Sequence, residues 1–277
     1  MATSFHVRSN SLPTKSHPFT SEVEETLSRL RSSQAASTIG HNINGLQDLH
    51  DCVDKILQLP LIQQALLQAG NRKLVDELLN GSLRILDTCS IAQNALLQSK
   101  ESVQGLQSVL RRRKGDETEL TSEIKKYLAS RKVVKKKIHK ALGNSKGMEN
   151  KCSSPISEKH VSMLKEIEEV TFTIFESLLS LISGPRTGSM LGGFSLVSKL
   201  IRPKRTACEE DEKDINEFVK VDAALVDHKA IKSDNIFCLQ NQIKELESSI
   251  QDLEEGLESL SRCLIKARVT LLNILNN

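Results

Sequence analysis

The chain has 277 residues, 38% of them hydrophobic and 26% charged, which suits one large domain or two small ones. Aromatics are only 3%, with one Tyr and no Trp, and there are 13 Gly and 6 Pro. Turn formers and β-favouring rings are therefore too few for a sandwich, barrel or propeller. The net charge of +3 conceals a segregation: Arg111 to Lys140 carries twelve basic and four acidic residues, whereas Glu209 to Glu258 carries fifteen acidic and five basic ones.

In chain order, residues 1–20 hold Pro13, Pro18 and many hydroxyls and read as a disordered tail. A single all-helical domain is expected over 21–276, with loops near 143–154 and 184–195. Ser21 and Glu24 make a capping box ahead of the stripe Val23, Leu27 and Leu30. Asn44 is expected to cap a second helix, with Leu46, Leu49, Val53, Ile56 and Leu57 inward and Pro60 as its stop. A short helix follows, Leu61 to Ala69. Asn71 then opens a long pattern: Val75, Leu78, Ser82, Ile85, Cys89, Ala92, Leu96, Ser99, Val103, Leu106 and Leu110. Unbroken to Lys114, it would be about 66 Å long, with Gly81 and Gly105 as its weak points.

Asp116 is placed to cap a helix running to Leu142, with Leu120, Ile124, Leu128, Val134 and Ile138 inward. Pro155 suits a first helical position. The helix after it carries Val161, Leu164, Thr171, Phe175, Leu178 and Ile182 and stops at Gly184-Pro185. Residues 185–205 read as a loop containing a short amphipathic helix, and an acidic helix is expected after Cys208.

The last segment has the clearest period. Ile236, Leu239, Ile243, Leu246, Ile250, Leu253, Leu257, Leu260, Leu264, Ala267, Leu271 and Ile274 alternate steps of three and four without a slip, which is a heptad seam. Phe237, Ile265, Leu272 and Leu275 lie off the seam and would widen its apolar face toward that of a bundle helix. Packing within the chain is the first reading of this seam, and self-association through 236–274 is the second. Together these elements predict an all-α fold, an elongated bundle of long antiparallel helices ending in a coiled-coil-like heptad helix.

Sequence signals for chemistry are sparse. There is no Gly-rich phosphate loop, no G-x-S-x-G and no H-E-x-x-H, so no catalytic residue and no cofactor is assigned, and the protein reads as a non-enzyme. His50 and Asp54, four apart on one helix, could share a metal, but a solvated or capped pair is the plainer reading, and no metal site is assigned. Cys52, Cys89, Cys152, Cys208, Cys238 and Cys263 are too scattered for metal-ligand spacing and read as reduced intracellular thiols. No stretch is long and apolar enough for a transmembrane helix. The expected location is intracellular, cytoplasmic or nuclear; the acid-free, hydroxyl-rich first 21 residues give a plastid transit peptide as a lesser reading.

The basic surface is expected at Arg111, Arg112, Arg113 and Lys114, and at Lys135, Lys136 and Lys137. Its plain reading is a solvated face docked near the acidic region 209–258. An anionic membrane surface is an alternative, using the helix 111–140 and segment 190–205, and nuclear import is another. Nucleic acid is disfavoured, because Tyr127 is the one aromatic interleaved with these cations. In the tail, Arg8, Ser9, Ser11 and Pro13 fit R-S-x-S-x-P, a pattern that 14-3-3 proteins bind when the second Ser is phosphorylated. Arg8 guides a basophilic kinase, phosphate gives an Arg cluster something to grip, and Pro13 turns the chain out of the groove.

Several of these stretches resemble a plant-specific family known as BYPASS-like. They are His6-Val7-Arg8-Ser9-Asn10-Ser11-Leu12-Pro13, Leu27-Ser28-Arg29-Leu30-Arg31-Ser32-Ser33, Asp51-Cys52-Val53-Asp54-Lys55 and Asp76-Glu77-Leu78-Leu79-Asn80-Gly81-Ser82-Leu83. Leu106-Gln107-Ser108 with the Arg triplet, Ser130-Arg131-Lys132 and Leu196-Val197-Ser198-Lys199-Leu200 are similar too. The resemblance implies a regulatory protein associated with root and shoot development, acting through protein contacts, and it brings no catalytic residues.

Overall fold

A computed structural model describes residues 18–33, 38–68, 72–112, 117–146, 159–184, 216–226 and 236–276. All secondary structure among them is helical: α1 (Pro18–Ser33), α2 (Ile39–Leu57), α3 (Pro60–Leu67), α4 (Arg72–Arg112), α5 (Glu117–Lys146), α6 (Lys159–Ser183), α7 (Glu217–Val226) and α8 (Ile236–Asn276).

The spine is the pair α4 and α8, each 41 residues and about 60 Å long. They run antiparallel along their length. Arg268 of α8 donates to the Leu79 carbonyl and, at 2.6 Å, to Ser82 Oγ. Further along, the Cys89 thiol meets the Leu257 carbonyl, Lys100 pairs with Glu254, Gln107 donates to Glu247 at 2.7 Å and Gln240 donates to the Leu110 carbonyl at 3.2 Å. Of the long stripe predicted for α4, every position except half-buried Ser82 is buried. Gly81 does not break the helix. A Cβ there would collide with the Glu168 carboxylate, so the missing side chain is room for a neighbour on α6.

The heptad seam of α8 is filled from within the chain. Leu239, Ile243, Leu246, Ile250, Leu253, Leu257, Leu260, Leu264, Leu271 and Ile274 are buried, and Ile236 and Ala267 are half-buried against the same core. The expected widening of this face is only partial. Leu272 and Leu275 are half-buried, while Phe237 and Ile265 point outward at 68% and 49% exposure.

Two layers complete the bundle. At the end holding the α4 N-terminus, α2 lies parallel to α8, shown by Gln47 donating to the Gly256 carbonyl and Thr270 donating to Asp54. Here α6 lies parallel to α4, with Lys165 on Glu77 and Arg84 over the Phe172 ring. At the other end α5 folds back on α4, with Gln98 reaching Ser130 and Arg112 reaching Glu119, and α7 bridges α5, α6 and α8. α5 and α8 are not packed side by side; α4 and α7 each pack against both.

Several boundaries move from their sequence-based positions. α1 starts at Pro18, within the stretch expected as tail; its missing N–H costs nothing in a first turn. Thr38, not Asn44, caps α2: its Oγ1 accepts the His41 N–H at 3.4 Å, and Asn44 lies inside the helix. Pro60 opens α3 as well as following α2. α5 continues one turn past Leu142, and α6 is described from Lys159 rather than Pro155. The tail positions Arg8, Ser9, Ser11 and Pro13, the loop cores after 146 and 184, and the amphipathic segment Phe194–Ile201 lie outside the described residues.

Leu253 lies 3% exposed in the middle of the seam. Leu253→Asp would bury an unpaired charge, costing several kcal/mol. The expected outcome is lost helicity by circular dichroism and a lower melting temperature. Unchanged melting with a changed oligomeric state in light scattering would instead place the seam between copies.

Candidate functional site

The densest polar chemistry lies where α7 meets α5 and the C-terminus of α6. α5 turns Ile124, Tyr127, Arg131, Val134 and Ile138 inward, a three–four spacing that carries one cation into the core. Arg131 is 2% exposed. Its Nε donates to Asp222 Oδ1 at 3.0 Å and its Nη2 to Oδ2 at 3.0 Å, a two-toothed grip. Nη2 also donates to the Ile182 carbonyl at 2.9 Å, satisfying one of the last carbonyls of α6. Tyr127 Oη donates to Asp222 Oδ1 at 2.9 Å, and Lys135 Nζ pairs with Oδ2 at 2.9 Å. The guanidinium lies over the Phe218 ring, 5.0 Å from its centre.

Local sequence holds α7 in place for this contact. Asn216 Oδ1 accepts the Val219 N–H at 2.9 Å as an N-cap, while its Nδ2 donates to the Leu181 carbonyl at 3.1 Å. Gly184, at φ +72°, closes α6, where a Cβ would come within 3.2 Å of Val219. Burial alone would raise the Asp222 carboxyl, but the bonds and charges of Arg131 and Lys135 outweigh it and hold the group below its ordinary value. Burial, with Asp222 beside it, pushes the Tyr127 phenol well above its usual range. At neutral pH the cluster is therefore a fixed carboxylate, two cations and a neutral phenol.

His50 and Asp54 are the second buried polar pair. They are neither solvated nor joined: His50 is 6% and Asp54 2% exposed, and they serve different helices. Asp54 accepts from Thr270 at 2.7 Å, Gln58 at 3.0 Å and Lys266 at 3.0 Å, tying α2 to α8. His50 Nε2 lies 3.1 Å from Thr171 Oγ1, whose own proton goes to the Ile167 carbonyl at 2.7 Å. Nε2 must therefore carry hydrogen, and Nδ1 is a bare acceptor with no partner among the described residues. Burial lowers His50 to about 4, against a small upward push from Asp51.

The other candidates are dispersed. Arg111, Arg112, Lys136 and Lys137 are exposed, whereas Lys135 turns half inward to Asp222, and Arg113 and Lys114 lie outside the described residues. Among the described residues, the expected docking of the basic helix on the acidic region is thus real at one carboxylate, Asp222. Burial pushes the thiols of Cys52, Cys89 and Cys263 up, Cys89 to about 11, so the thiolate nucleophile is disfavoured at all three. A cavity of about 70 Å³ lies between α2, α4, α6 and α8, with His50, Glu168 and Arg268 in its mostly apolar wall. Another of about 190 Å³, between α3 and the end of α8, is lined by Gln58, Gln63, Leu67, Thr270, Asn273 and Ile274. No three His, Cys, Asp or Glu residues among those described converge as a metal site, and no described helix is long and apolar enough to cross a membrane.

Sequence reasoning missed Arg131 and Asp222 as a pair. The available signal was register: the strict period through Ile124, Val134 and Ile138 passes through Tyr127 and Arg131, not Leu128. Asp222→Ala should cost about 3–5 kcal/mol in denaturant unfolding, because it leaves a buried guanidinium uncompensated. Arg131→Met combined with Asp222→Leu should recover most of that loss.

The His50 shift sets a pH dependence. Its folded value is below the unfolded one near 6.5, so its contribution is present above pH 6.5 and is lost as pH falls toward about 4. That loss approaches about 3 kcal/mol. Burial raises the Glu168 carboxyl, which gives an opposing gain as pH falls through its folded value. Urea unfolding of wild type and His50→Gln across pH 4–7 isolates the histidine: the variant should lack this part of the acid loss.

The family model described as Protein BPS1 matches residues 42–274, from the first turn of α2 to the last turn of α8. No curated protein and no solved structure matches the chain. The span includes the Arg131–Asp222 cluster, nearly all of both spine helices and most of the stretches that resemble BYPASS-like proteins, and the chain belongs to this Protein BPS1 family.

Proposed function

We propose that this is a non-enzymatic regulatory protein of plant development that works by binding other proteins, with a 14-3-3 protein among them once Ser11 is phosphorylated. The observation that carries the reading is where the chain spends its polar chemistry. Asp54, Arg131 and Asp222 each tie one helix to another, and His50, although it lines the cavity between α2, α4, α6 and α8, spends its Nε2 on Thr171. Catalysis by general acid and base needs such groups pooled in a pocket and poised near neutral pH. Here the histidine is held neutral, the phenol is held protonated and the buried thiols are pushed up. Apolar side chains meanwhile face solvent on the spine, with Ile265 and Val269 one turn apart at 49% and 48% exposure and Phe237 at the other end of α8. A rigid rod with outward apolar residues, preceded by a kinase-readable tail, suits recognition rather than turnover.

A peptide covering residues 5–18 with phospho-Ser11 should bind a plant 14-3-3 protein at micromolar affinity or better. The unmodified peptide and the Arg8→Ala phosphopeptide should bind much more weakly. Equal binding by all three, or none by the phosphopeptide, removes the 14-3-3 partner from the proposal.

A further inference from the structure

We infer that the outer face of α5 docks on an anionic lipid bilayer. Around the helix, the positions that face away from α4, α6 and α7 from Ser122 onward are Ser122, Lys125, Lys126, Ala129, Lys132, Val133, Lys136, Lys137 and Lys140, all exposed, with Lys137 also making an edge contact with Gln98 at 3.4 Å. Six of the nine are lysine, and none is acidic. The structure sorts this helix's cations into two groups. Arg131 and Lys135 are spent on Asp222, and Lys126 leans on Glu123 at 3.0 Å. Lys125, Lys132, Lys136 and Lys140 have no carboxylate partner among the described residues. From Lys125 to Lys140 they form a row about 22 Å long.

Three features select a bilayer over other anionic partners. The cations are lysines, flexible point charges that suit a surface of many headgroups better than a fixed fork for one phosphate. An apolar residue sits among them: Val133 is 45% exposed. An acyl-chain boundary accepts such side chains, whereas a phosphate backbone gives them nothing. Finally, the cross-section is polarised. α8 exposes Glu245, Asp252, Glu255 and Glu258, and α5 is not packed beside it. A rod with one basic and one acidic flank lies on a negative surface in one orientation, with the acidic flank turned to water. Clusters of four to eight basic residues on a helix face are the charge pattern of binding to anionic leaflets.

The full-length protein should be sedimented with vesicles of phosphatidylcholine containing 30% phosphatidylserine, in about 0.1 M salt. Binding is expected there and not with phosphatidylcholine alone, and it should fall as salt rises. Each lysine neutralised should weaken partitioning by roughly fivefold, so Lys125, Lys132, Lys136 and Lys140 all changed to Gln should abolish detectable sedimentation with unchanged circular dichroism. Lys244→Gln, on the acidic flank, should change nothing. Val133→Ser alone should weaken vesicle binding at fixed charge. Wild-type binding by the four-lysine variant, or equal binding to neutral vesicles, overturns the inference. So does a protein that ignores anionic vesicles but binds duplex DNA or RNA in a manner dependent on the same lysines.

Discussion

Everything in this fold is hung on the antiparallel pairing of α4 and α8. Neither helix could stand alone: an apolar stripe on a 41-residue helix must find a partner over its full length, and helix propensity alone stabilises an isolated helix only marginally. Their seams solve this together, from Leu79 opposite Arg268 at one end to Leu110 opposite Gln240 at the other. Once the pair is fixed, two grooves run beside it, and the remaining helices are too short to fill a groove from end to end. α2 and the first part of α6 take one end, and α5 with α7 takes the other. The division of the bundle into two differently built ends follows from those lengths.

The polar groups buried at each end act as registers. α7 has ten residues and buries Phe218, Val221 and Leu225, an amount of apolar surface that would tolerate several positions along the groove. Only one of them sets Asp222 against both Arg131 and Lys135 and Phe218 under the guanidinium. A slip of one turn would leave Arg131 buried and unpaired, which costs several kcal/mol. Compared with a well-packed apolar contact, the pair adds little net stability, and its effect is to exclude the alternatives. Asp54 does the same between α2 and α8, where Thr270 and Lys266 lie one turn apart and both reach one carboxylate.

What could be read from the sequence was what obeys a period. The stripe from Val75 to Leu110 and the seam from Leu239 to Ile274 were visible because each inward position is apolar or small, and the structure buries nearly all of them. What could not be read was a polar residue doing the work of an apolar one. Arg131 and Asp222 look like two more members of oppositely charged segments, and nothing local says that they are buried against each other across 91 positions of chain. The helix starts failed for a related reason. Asn44 and Thr38 are both competent caps, and the choice falls to Thr38 because Asn42, Ile43 and Leu46 are needed inside the core. The sequence makes His50 one of a solvated or capped pair, because its environment is set by Thr171, which arrives from a helix 121 residues away.

The charge segregation so evident in composition has a divided fate. Part of it is consumed in folding: one carboxylate of the acidic region, Asp222, pairs with buried Arg131 and with half-buried Lys135. The rest survives folding because the spine keeps it apart. α4 is itself mixed in charge and packs against both α5 and α8, so the lysine row and the carboxylates of α8 cannot collapse on each other. At physiological salt, charges on opposite flanks of such a bundle are more than a Debye length of about 8 Å apart and are screened from one another. Each flank then presents its own field to whatever approaches. A net charge of +3 therefore says little about how this protein meets its surroundings. The relevant quantity is local: six lysines on the outer face of α5 from Ser122 onward on one side, and a carboxylate-rich face on the other, held apart by the helices that build the core.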